Sequence, residues 1–230
     1  MSEANYDCLV LTLGFEPGPL LRAIASYGVK ANGTIVVLTA EYRDERCERA
    51  FLDLQKLVRM LFKDERGRHE INIRRVDVCL NPVLRGVEQV SATLREFVNS
   101  NVCIAFTGGM RVLWIILLMT YLLLPWKYEP KLVAYLEGRG EFVEIPPIRS
   151  IFELAVHGTR LEILRAIGER PKTVDELSSE LNRDRSTIYR NILWLEEKGL
   201  VKKVGRTIEL TDLGRVLSLS QPLMQAHANI

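Results

Sequence analysis

Two stretches of this 230-residue chain carry side chains whose types and spacing suit the binding of phosphate-bearing partners. The first is Thr107-Gly108-Gly109-Met110-Arg111, which follows an apolar run and opens another. Paired glycines let a ligand approach the backbone, a helix start offers unpaired N–H groups to an anion, and an arginine adds a bidentate positive fork. The spacing is neither GxxxxGK[ST] nor GxGxxG, so neither of those nucleotide motifs is present. Taken alone, these residues also fit a tight strand-to-helix turn with Arg111 in a structural ion pair.

The second stretch is 173–201, TVDELSSELNRDRSTIYRNILWLEEKGLV. Val174, Leu177 and Leu181 fall on one helical face, and Ile188, Ile192 and Leu195 repeat the pattern after the polar turn Asn182-Arg183-Asp184. Asp184 is placed to cap the second helix and Gly199 to end it. Its first turn then presents Arg185, Ser186, Thr187, Tyr189 and Arg190. Guanidinium groups can address guanine edges or phosphates, and hydroxyls can bind phosphate oxygens. From Arg183 to Arg206 seven basic residues face three acidic ones, a surplus of four where the whole chain has a net charge of only +2. The positive charge is therefore concentrated here, as in a nucleic-acid-binding face. Beyond Gly199, Leu200–Val204 and Thr207–Leu210 alternate like two strands joined at Gly205-Arg206, adding Lys202, Lys203 and Arg206 to the same surface. A solvated helix face and a protein-docking module are the blander readings of the same residues.

The elements that must position these residues are legible upstream. Strand patterns occupy Tyr6–Leu13, Thr34–Thr39, Ile71–Cys79, Val102–Phe106, Lys131–Leu136 and Glu141–Ile145. Helical patterns fill Pro19–Tyr27, Arg43–Phe62, Val83–Asn99 and Met110–Leu124. Alternation of this kind predicts an α/β fold, a Rossmann-like mostly parallel sheet with helices on both faces, closed by an antiparallel hairpin at Gly138-Arg139-Gly140. In such sheets ligands bind beyond the carboxyl ends of the strands. That rule singles out the loop 107–111 and the loop Thr12-Leu13-Gly14-Phe15-Glu16-Pro17-Gly18. The predicted division is 1–147, 148–220 and a tail at 221–230. The junction beyond Pro146-Pro147 continues with apolar Ile148, Ile151, Phe152, Leu154 and Ala155, a pattern that predicts a docked second domain.

Composition excludes several classes. Hydrophobic residues make up 47% of the chain, enough for a substantial core and a small second domain. The apolar run 112–126 is shorter than the ~20 residues of a membrane span, and it reads as a buried helix that also packs against a second subunit. MSEANYDCLVL lacks the pattern of a signal peptide. Cys8, Cys47, Cys79 and Cys103 are scattered without a CxxC pair, predicting buried apolar thiols in a reducing cytoplasm and no metal site. His69, His157 and His227 have no ligand or catalytic spacing. Tyr42 with Arg43, Thr39 and Asn81 are weaker ligand candidates, and Trp114, Trp126 and Trp194 read as packing residues.

The loops 107–111 (TGGMR) and 13–15 (LGF), in that strand context, resemble the motifs of the CARF domain, the ligand-sensing domain of CRISPR-associated proteins. Leu161–Leu217, closing with Leu210-Thr211-Asp212-Leu213-Gly214, resembles the winged helix-turn-helix domains of bacterial and archaeal regulators. From Tyr6 to about Leu219 the chain is similar to the CARF and winged-helix transcriptional regulators of archaeal CRISPR loci. That resemblance implies a homodimer with a central pocket for a cyclic oligoadenylate, most often cyclic tetra-adenylate, each subunit offering the same loops to half of a two-fold ring. Carried over by position, Thr12, Gly14 and Phe15 line one wall, and Thr107, Gly108, Gly109, Met110 and Arg111 hold phosphate and ribose. It implies double-stranded operator DNA under Arg185, Ser186, Thr187, Tyr189, Arg190, Lys202, Lys203 and Arg206. No cofactor, membrane contact or catalytic residue is expected. The alternatives are a ring nuclease that cleaves its cyclic ligand and a regulator sensing another nucleotide.

Overall fold

The computed structural model describes residues 6–42, 44–62, 71–149 and 156–219. Arg43, His69, His227, the apolar junction residues Ile151, Phe152, Leu154 and Ala155, and the expected tail at 221–230 lie outside the described residues. The chain divides into two compact units, 1–148 and 149–230.

The first unit is an α/β sandwich. Strands β1 (Cys8–Thr12), β2 (Thr34–Ala40), β3 (Asn72–Val78), β4 (Val102–Phe106), β5 (Lys131–Leu136) and β6 (Glu141–Ile145) form one sheet in the order β3-β2-β1-β4-β5-β6. All neighbours are parallel except β5 and β6. Strands buried on both faces read as continuous apolar runs, and β1 and β4 are buried throughout. Alternate side chains serve opposite faces. Leu9, Leu11, Ile35 and Val37 meet Leu20 and Ile24 of α1 (Gly18–Tyr27) and Phe51 and Leu54 of α2 (Glu45–Leu61). Val10, Val36 and Ile104 meet Val90 of α3 (Val83–Leu94) and Leu113, Ile116 and Leu117 of α4 (Arg111–Leu123).

This division decides where a ligand can go. The connection leaving β1 crosses one face and the one leaving β4 crosses the other, so the loops after these adjacent strands part company. The gap between them is the switch point at which open α/β sheets bind ligands. Helix α4 buries Leu113, Ile116, Leu117, Thr120 and Tyr121 along one stripe while Ile115 and Leu123 stay exposed. Among the described residues no helix is long and apolar enough to cross a membrane.

In the second unit, α5 (Thr159–Glu169), α6 (Val174–Glu180), α7 (Arg185–Glu197) and α8 (Asp212–Ser218) enclose a core that includes Ile163, Leu177, Ile188, Ile192 and Leu195. The antiparallel pair β7 (Val201–Val204) and β8 (Thr207–Leu210) turns at Gly205-Arg206, with Gly205 at φ +61°. Thr173 and Glu176 start α6 with a reciprocal capping box, the T-x-x-E pattern of such a start. Asp184 departs from expectation. It occupies the N-cap position of α7, yet its carboxylate makes no capping bond. Gly199, at φ +67°, follows α7 and donates its N–H to Glu196 O at 2.9 Å. Lys172 is buried, pairs its backbone with Ile208, and sets its ammonium 2.6 and 2.7 Å from the two Glu180 oxygens.

Candidate functional site

The loops after β1 and β4 lie backbone to backbone. A Cβ built on Gly14 would stand 2.8 Å from Gly109 N, and one on Gly109 would stand 2.8 Å from Leu13 O. Gly109 also has φ +90°, a conformation that side chains other than hydrogen strain to adopt. Thr12 and Thr107 lock the two loops together. The Thr12 hydroxyl oxygen accepts from the N–H groups of Thr107 (3.0 Å) and Gly108 (3.3 Å), and the Thr107 hydroxyl donates to the Thr12 carbonyl at 2.7 Å. From α4, Trp114 Nε1 donates to Gly108 O at 2.7 Å. Trp114, read from sequence as packing, therefore fixes the glycine loop.

These loops open onto a cleft of about 690 Å³. Of the residues expected to bind a ligand, Gly14, Phe15, Thr107, Gly108, Gly109 and Met110 line it together. Two do not. Thr12 is fully buried with its hydroxyl committed to the other loop, so it shapes the wall without facing the cleft. Arg111 is exposed as the first residue of α4 and lies outside the lining.

Other groups complete the cleft. Phe15 is half exposed, and the Arg46 guanidinium stacks 4.0 Å from its ring centre. Asp44 holds Arg46 through Nε (3.3 Å) and Nη2 (3.1 Å) while capping α2 from the Arg46 N–H at 2.8 Å. The Arg46 hydrogen bonds keep the Asp44 carboxyl below the usual carboxylate range. Cys47 corrects the expectation of four buried thiols, because it is only half-buried, lines the cleft, and donates Sγ–H to Gly14 O at 3.2 Å. Cys8 and Cys103 are buried, and desolvation pushes the Cys103 thiol up to about 12. Arg22, Tyr42, Tyr135, Glu16 and Glu137 supply the remaining polar edge. Of these, Tyr135 and Glu137 stand at the carboxyl end of β5, where the strand-end rule would have found them; Arg22 sits on α1, and no motif marks it.

Of the weaker candidates Tyr42 lines the cleft, whereas Thr39 and Asn81 fall elsewhere. Thr39 donates to the Asp77 carboxylate at 2.6 Å and not to backbone, and Asn81 is exposed away from the cleft. His157 is exposed beside Gly158. Among the described residues no group of three or more His, Cys, Asp or Glu side chains could hold a metal ion.

The second unit carries a basic face on α7 and the β7-β8 hairpin. Arg185, Ser186, Tyr189, Arg190, Lys202, Lys203 and Arg206 are exposed, whereas Thr187 is half-buried and its carbonyl accepts from Asn191 Nδ2 at 2.8 Å. Several cations have acidic neighbours: Arg185 with Asp175 (3.0 Å), Lys202 with Glu209 (3.4 Å), Lys203 with Glu196 (2.7 Å) and Lys198 with Glu197 (3.3 Å). The hydrogen bond to Glu196 holds the Lys203 ammonium above its usual value. Arg183, Arg190 and Arg206 have no acidic partner among the described residues. Beneath this face, the Arg160 guanidinium stacks 3.8 Å from the Trp194 ring centre and tethers α7 to α5.

Two comparisons bear on these units. Residues 7–146 match the family described as the Csa3 CRISPR-associated Rossmann-like domain. Residues 150–221 match the HVO_A0261 N-terminal domain. No curated protein matches the chain.

Proposed function

The chain belongs to the family of Csa3 CRISPR-associated Rossmann-like domains, and from that membership we propose that it is a ligand-responsive, DNA-binding transcriptional regulator of CRISPR loci. Its ligand in this reading is a cyclic oligoadenylate, cyclic tetra-adenylate in particular. The observation that carries the proposal is the pair of glycine loops at the switch point, pressed together and opening onto a large cleft. Backbone N–H groups at such a place suit phosphate oxygens, and exposed Phe15 and Tyr42 suit the faces of bases. A second copy, packed partly against exposed Ile115 and Leu123, would offer the same loops to the other half of a two-fold ring. In the second unit, α7 would act as the recognition helix and the β7-β8 hairpin as the wing of a winged helix-turn-helix domain. Arg185, Ser186, Tyr189 and Arg190 would then face the groove, with Lys202, Lys203 and Arg206 on the phosphates.

We read the cleft as a sensor without a resident cofactor, because two glycine loops pressed backbone to backbone suit holding a ring; a ring nuclease is the alternative, told apart by whether the ring is consumed. Calorimetric titration with cyclic tetra-adenylate, linear oligoadenylate and ATP tests the reading, alongside operator affinity with and without saturating ligand. One ring per two chains and an altered operator affinity are expected. Equal operator affinity in both conditions, with the ring consumed, would replace the sensor by a ring nuclease.

A further inference from the structure

Arg22 projects from α1 into the cleft, and one of its guanidinium N–H groups, on Nη1, donates to Gly140 O at 2.9 Å. A guanidinium has five such donors and always carries its charge. Among the described residues no carboxylate pairs with Arg22, although Glu16 and Glu137 line the same cleft. Among the described residues the cleft thus holds three carboxylates, one of them engaged by Arg46, and Arg22 is the sole cation of its lining. A phosphate ligand entering this acidic surround needs a counter-charge, and of the described lining residues Arg22 can supply it.

The β5-β6 turn is shaped to hold that charge in place. Gly140 has φ +69°, and a Cβ there would stand 3.2 Å from Arg22 Nη1. The bare backbone lets the guanidinium reach the carbonyl. The turn is stiffened from beneath by Phe142, which packs its ring against Tyr27 and Tyr135 at centroid separations of 5.4 and 5.2 Å. Restricting a long side chain before binding lowers the entropy lost on binding.

We infer that Arg22, aimed by the carbonyl of Gly140, is the phosphate-binding side chain of the cleft. This rests on the reading of the cleft as a site for a phosphodiester ligand. Arg22 binds the ligand directly, with its remaining N–H groups directed to phosphate oxygens in the bidentate manner of guanidinium.

The test is calorimetric titration of the full chain with cyclic tetra-adenylate, with thermal unfolding as the check on folding. Arg22→Ala is expected to weaken binding about tenfold or more, the loss typical of a charge-assisted hydrogen bond. Arg22→Gln keeps a polar side chain and loses the charge, so it is expected to fall with the alanine variant. Arg22→Lys should retain an intermediate affinity. Arg139→Ala, which removes an equal charge from the same turn but not from the cleft lining, should bind like the parent. If the parent binds and Arg22→Gln binds within twofold of it, the assignment of Arg22 is overturned while the reading of the cleft stands. If the parent binds none of the ring, both fall together.

Discussion

The glycines of the cleft are constrained from two directions at once, by backbone angle and by contact. Gly109→Ala would place a methyl group 2.8 Å from Leu13 O at a φ of +90°. Strain of this kind costs of order 1–3 kcal/mol, and relief requires the two loops to separate. Urea denaturation should show the unfolding free energy falling by that amount, with a lower midpoint, and ring binding should fall with it. An unchanged midpoint would mean that the loops can part freely. At this scale the sequence was informative where a motif recorded backbone need. Gly14, Gly108 and Gly109 stand where the strand-end rule placed them. It was less informative about side chains, because direction depends on neighbours far away in the chain. Thr12 turns inward to serve Thr107, 95 residues on, and Arg22 is held by Gly140, 118 residues on. Neither separation leaves a local mark.

Among the elements, the β-α alternation of the first unit and the two-helix corner of the second were legible because each buries a face with a regular period. The strand ranges Val102–Phe106, Lys131–Leu136 and Glu141–Ile145 coincide with their hydrophobic patterns. Ends were harder to read, since they depend on single hydrogen bonds. Asp184 has the residue type of a cap without its bond, while the start of α6 has both. There the Glu176 carboxylate accepts from the Thr173 N–H at 2.7 Å, and that bond, with Arg170 at 2.8 Å, lowers its pKa to about 2. A carboxyl whose folded value lies below its unfolded value adds stability that is present above about 4.5 and is lost as pH falls towards about 2. Following Glu176 by NMR should give a titration midpoint near 2, and Thr173→Val should move it upward. A midpoint near the ordinary glutamate value in the parent would show that the box is open in solution.

Across the whole molecule, a chain with a net charge of only +2 concentrates its basic residues on the α7-hairpin face and then pairs many of them with carboxylates. Ring binding and operator binding, if coupled as proposed, must act on each other by the same factor, typically about 5 to 150-fold. The paired cations have a separate consequence, which lies in the salt solution around the protein. A lysine that leaves a glutamate for a DNA phosphate releases one counter-ion from the DNA but exposes a carboxylate that gathers another. The exchange leaves the ion count nearly unchanged. Only Arg183, Arg190 and Arg206, which have no acidic partner among the described residues, should register fully. The slope of log affinity against log salt is therefore expected near −3 per subunit, where seven unpaired cations would give about −6. Glu196→Gln, by freeing Lys203, should steepen it by about one. Fluorescence anisotropy across a salt series would measure both, and a parent slope already near −6 would show that the carboxylates of this face do not act as its built-in counter-ions.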